Sequence, residues 1–61
     1  MTKVQKLDLA IAEYLPLIAE ANAEALAADT QGQYEKHAER ANILEAIVLR
    51  LSEQRRRLAA A

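Results

Sequence analysis

Apolar side chains recur along this chain in alternating steps of three and four residues. The first half carries Val4, Leu7, Ile11, Tyr14, Ile18, Ala21, Ala25 and Ala28 in that rhythm. The second half carries Tyr34, His37, Ala41, Leu44, Val48, Leu51, Arg55 and Leu58. Such steps return to one side of a helix every two turns, so each half predicts a helix with a packed seam. Between the halves stands DTQGQ, Asp29 to Gln33, the one cluster of turn residues. Thr30 with Gln33 three places later fits a capping box, while Gly32 fits a left-handed helix stop. The expected layout is one domain over residues 1–61, with a first helix from about 3 to 28, a turn at about 29–33 and a second helix from about 34 to 58.

Folding the chain about Gln31 pairs the two seams without remainder, from Val4 with Leu58 at the open end to Ala28 with Tyr34 at the turn. Large residues fill the open end, and alanines near the turn allow close approach. The fold class expected is all-α, an antiparallel helical hairpin. Its apolar stripes are wider than one partner helix can cover. Ile43 and Ile47 extend the stripe of Leu44, Val48 and Leu51 to an arc of roughly 140°, and on the first helix Leu15, Ala19 and Leu26 widen the opposite flank. Arcs that wide suit a four-helix bundle built from two hairpins. The expected oligomer interface comprises Leu15, Leu26, Ile43, Leu44, Ile47, Val48 and Leu51.

The single proline, Pro16, lies inside the first apolar series, in EYLPLIAE. Tyr14, Ile18 and Ala21 keep their spacing across it, which predicts one helix, bent at Pro16, rather than two. Proline frees the carbonyl four residues earlier, that of Ala12, and bends a helix away from that side.

Composition narrows the picture. Of the 61 residues 52% are hydrophobic, but 14 of those are alanine, so a lone hairpin has few large side chains to bury. With no cysteine, neither a disulfide nor a thiolate metal site is available. The N-terminal run contains Asp8 and Glu13 and makes a poor signal peptide, and no apolar stretch approaches the roughly 20 residues of a bilayer span. A cytoplasmic location without membrane contact is the expectation. Net charge is -1, but the charges are polarised. Lys3, Lys6, Arg50, Arg55, Arg56 and Arg57 gather at the open end; Glu20, Glu24, Asp29, Glu35 and Glu39 gather toward the turn. Hairpins packed with their turns at opposite ends set acid against base, which favours an antiparallel dimer.

Candidate chemistry is sparse. His37 is the only histidine, and no second histidine, cysteine or suitably spaced carboxylate on its seam completes a metal site. Ser52, the only serine, stands more than two turns from it, so no nucleophile–base pair is suggested. Neither catalysis, cofactor nor metal is expected. Asn22, Tyr34, His37 and Arg40 could form a polar cluster on the seam, setting register or shaping a small pocket. Lys3, Lys6 and Arg55, Arg56 and Arg57 are candidate contacts for phosphate in RNA, DNA or an anionic ligand. The competing reading of the arginines is a solvated helix end, with Glu53 spaced to pair with Arg57. Leu9, Pro16, Leu17 and Leu49 are apolar positions that a bundle turns outward, a candidate partner patch.

In outline the hairpin resembles the repressor-of-primer proteins, on the opening MTK, Lys6, Leu9, Ala12, Tyr14 and the turn near Asp29. The resemblance implies an antiparallel bundle and RNA contact through Lys3 and Tyr14. The chain departs from that pattern with Ala10, Ile18 and Ala25 on the face concerned, and its seam turns Tyr14 inward, so the likeness is architectural. The function expected is that of a small non-enzymatic homo-oligomer, a regulator, inhibitor or adaptor that binds itself and another protein. A nucleic-acid or anionic-ligand binder using the basic end, and a purely structural oligomer, are the alternatives.

Overall fold

The computed structural model describes residues 1–60. It contains two helices, α1 (Lys3–Leu26) and α2 (Gln31–Ala60), packed antiparallel as a hairpin.

Each helix begins at a threonine. Before α1, Thr2 Oγ1 accepts the Gln5 N–H at 3.1 Å, and the Thr2 N–H donates to Gln5 Oε1 at 2.9 Å. This reciprocal capping box satisfies two donors that a helix start otherwise leaves open. Before α2, Thr30 Oγ1 accepts the Gln33 N–H at 3.2 Å, and the Thr30 carbonyl accepts the Tyr34 N–H at 3.0 Å. The Gln33 side chain reaches back to the Asp29 N–H, at 3.4 Å, one residue short of a full box. The turn therefore lies earlier than the sequence pattern placed it. Gln31, Gly32 and Gln33 form the first turn of α2, and α1 ends at Leu26 rather than near residue 28. Gly32 has no positive φ. A threonine cap, not a left-handed glycine, sets the junction.

The first helix continues through Pro16 without interruption. Pro16 and Ala12 are both exposed, so the carbonyl that loses its donor lies on the watered side, where solvent can replace the missing bond.

The seam has the composition its spacing announced. Val4, Leu7, Ile11, Tyr14 and Ile18 are half-buried on α1, as are His37, Leu44, Val48, Leu51 and Arg55 on α2. Tyr34 and Leu58, at the two ends, remain largely exposed. Among the described residues only Ala21, Ala25 and Ala41 are buried, and no large side chain is fully enclosed. The molecule measures 47 × 16 × 10 Å, so its depth is that of a single helix layer. Its radius of gyration is 14.3 Å, against about 10.5 Å for a compact domain of this length. The accessible surface is 4694 Å², whereas a compact monomer of this mass exposes about 3,950 Å². The hairpin is a layer whose broad faces are largely uncovered.

Candidate interaction surfaces

Two antiparallel helices rotate in opposite senses when viewed from one end, and this decides which flanks share a face. Residues paired by folding about Gln31 lie at the same level. They meet when both are on the seam and diverge to opposite faces when both are off it. The ion pairs and grooves between the helices follow this rule.

The first broad face carries a groove lined by Leu15, Ile18, Glu45, Val48 and Leu49. Leu15 is 54% exposed and Leu49 70%. Asn22 and Leu26 follow Leu15 by seven and eleven residues, two and three turns along the same flank, and Leu26 is 86% exposed. Glu45 forms neither an ion pair nor a side-chain hydrogen bond with any described residue.

The second broad face is fixed at both ends by contacts between the helices. Near the turn, Glu24 Oε2 lies 3.0 Å from His37 Nδ1 and 3.6 Å from Arg40 Nη1. Near the open end, Lys3, Lys6, Leu7, Gln54 and Leu58 line a second groove. Ile47 is seven residues from both Arg40 and Gln54, and Leu17 is seven from Glu24. These residues therefore lie on the second face, with Ile43 one turn from Ile47. Ile43 is 56% exposed and Leu17 38%.

The residues expected to form one oligomer interface are thus divided. Leu15 and Leu26 belong to the first face and Ile43 and Ile47 to the second, while Leu44, Val48 and Leu51 are half-buried within the hairpin. The expected polar cluster is divided in the same way. His37 and Arg40 converge on Glu24, Asn22 sits exposed on the first face, and Tyr34 stands 45% exposed near the turn. Glu24 is the partner that the seam pattern missed. It precedes Ala25 at the seam's margin, and only the handedness of the pairing directs it toward Arg40.

The basic end is partly neutralised. Arg55 Nε donates to Asp8 Oδ1 across the hairpin, and Arg57 Nη2 to Glu53 Oε1 at 2.9 Å within α2. The first contact explains how a seam position accommodates arginine: its stem lies along the apolar seam and its head reaches an acid on the neighbouring helix. Lys3, Lys6, Arg50 and Arg56 have no ion-pair partner among the described residues. Of the outward apolar positions, Leu9 is 52% exposed beside Met1, Gln5 and Asp8, and Pro16 is also exposed. Leu17 and Leu49 lie on different faces and form no common patch.

Among the described residues, no group of three or more His, Cys, Asp or Glu side chains could hold a metal ion. No described helix is long and apolar enough to cross a membrane. No known protein family, curated protein or solved structure matches the chain.

Proposed function

We propose that this chain is a non-enzymatic interaction protein, and that its hairpin is one half of a homodimeric four-helix bundle that binds another macromolecule, most directly a protein. The observation that carries this reading is the single-layer shape, in which three alanines are the only buried ones among the described residues and no large side chain of theirs is enclosed. Stable domains bury their apolar stripes between at least two layers. The surplus over a compact monomer, about 700 Å², is close to the roughly 800 Å² that each partner contributes to a standard interface. A second hairpin supplies the missing layer with the same pattern of side chains.

The reading makes the melting temperature depend on protein concentration, because assembly stabilises only the folded chain. Circular-dichroism melts at 5 and 500 µM are expected to differ by several degrees. Superimposable melts of a folded protein would remove the dimer from the proposal. For the anionic-ligand alternative, pairing of Arg55 with Asp8 and of Arg57 with Glu53 leaves less free positive charge than the run of arginines suggests. Labelled single-stranded or duplex RNA is therefore expected to form no complex at 150 mM salt. A complex that is lost on substituting Arg55, Arg56 and Arg57 together would restore that alternative.

A further inference from the structure

We infer that a second copy of this chain covers the first broad face, the one bearing Leu15, Leu26 and Leu49, with the two turns at opposite ends. This assignment rests on the dimer reading and specifies which surface serves it. Steps of seven residues along each helix sort the charges between the faces. On α1 the second face collects Lys3, Lys6, Glu13, Glu20 and Glu24; on α2 it collects Lys36, Arg40, Arg50 and Arg57. They stand along its whole length, so covering that face takes charge out of water from end to end. The first face carries Asp8, already engaged by Arg55, and beyond that pair only Glu35, Glu45 and Arg56. Glu39 and Glu53 lie on the outer edge of α2 and belong to neither face. The flank of α1 that borders the first face reads Gln5, Ala12, Ala19 and Leu26, without a charge. Interface centres are depleted in charged residues, and the first face fits that composition better.

The first face is also self-complementary. A face-to-face pair with opposed turns has its twofold axis across mid-hairpin and sets each helix antiparallel on its own copy. Along the outer flank of α2 the series Glu35, Asn42, Leu49 and Arg56 then meets itself reversed. Glu35 falls beside the partner's Arg56, and Asn42 beside the partner's Leu49. On α1 the same operation sets Leu15 against its copy and Ala12 against the partner's Ala19, small residues that let the helices approach closely. One axis serves both helices, because the midpoints of the two series fall at nearly the same level of the hairpin. With the turns at one end, Glu35 would instead lie beside the partner's Leu26, which offers no charge. A broad face of 47 by 16 Å has a footprint matching the area a standard interface takes from each side. Glu45 is the residue set against this pairing, since the axis brings it near its own copy. Removing its charge therefore strengthens a dimer built on this face and leaves one built on the other face unchanged.

The test compares Leu15→Lys, Ile43→Lys and Glu45→Gln by sedimentation equilibrium. Leu15 and Ile43 are alike on the lone hairpin, 54% and 56% exposed, but lie on opposite faces. Wild type and Ile43→Lys are expected to sediment as dimers. Leu15→Lys is expected to associate roughly 100-fold or more weakly, since it sets two cations together in the interface. Glu45→Gln is expected to associate roughly tenfold more tightly than wild type. A dimer kept by Leu15→Lys, lost by Ile43→Lys or not tightened by Glu45→Gln overturns the face assignment while the dimer stands. A folded wild-type monomer overturns the dimer itself. Crosslinking needs no disruptive variant, because the chain has no cysteine of its own. Leu15→Cys is expected to couple to its copy through a short bismaleimide, and Ile43→Cys and Gly32→Cys are not. Failure of Leu15→Cys to couple, or efficient coupling through Ile43→Cys, contradicts the face, and coupling through Gly32→Cys contradicts the opposed turns.

Discussion

Alanine is the residue on which this hairpin closes. Ala21 is wholly enclosed and Ala41, its mate across the seam, is 2% exposed, so burial is greatest where the side chains are smallest. Ala21→Leu is expected to destabilise the fold by about 1–3 kcal/mol through overpacking, read from denaturant unfolding. Gly32 presents the opposite case. It sits in the first turn of α2 without a positive φ, and apart from its chain neighbours and its own helix backbone nothing lies within 4 Å of the Cβ that alanine would add. Gly32→Ala is expected to stabilise by about 0.4–1 kcal/mol, chiefly by restricting the unfolded chain. A loss of stability there would show that the junction needs glycine after all. The Asp8–Arg55 contact is partly exposed on both sides, and a double-mutant cycle is expected to assign it no more than about 1 kcal/mol.

At the scale of the elements, most of the fold was legible and the flanks were not. The three–four spacing located the seam residue by residue, because a helix repeats on a fixed angle and burial follows it. The turn was legible in composition but not in detail. Thr30 and Gly32 supported two different junctions, and the choice between a threonine cap and a glycine stop depends on backbone angles. Thr30→Ala is accordingly expected to cost about 1 kcal/mol, and a melting temperature lower by about 4–8 °C is its readout. Pro16 was legible as a tolerated interruption, since Ile18 and Ala21 keep phase with Tyr14. Pro16→Ala is expected to raise the melting temperature by restoring a donor to the Ala12 carbonyl. The flanks failed for a geometric reason. Folding about Gln31 puts Asn22 level with Arg40 and Leu15 level with Ile47, but opposed helical rotation sends the members of each pair to different faces. Asn22 therefore misses the cluster that Glu24 joins, and a single expected interface becomes two surfaces.

At the scale of the molecule, the hairpin is long, thin and incompletely covered, and its two broad faces are not equivalent. One carries Glu45 among Leu15, Ile18, Val48 and Leu49; on the other, Glu13 and Glu20 flank Leu17 on the side of α1 that bears Lys6. Light scattering coupled to size-exclusion chromatography separates a lone hairpin from a dimer by mass. At micromolar concentration a particle of about 13.6 kDa, twice the 6.8 kDa chain, is expected. A helical, cooperatively folded species of 6.8 kDa would contradict it, because it would show that this single layer is stable with both faces in water.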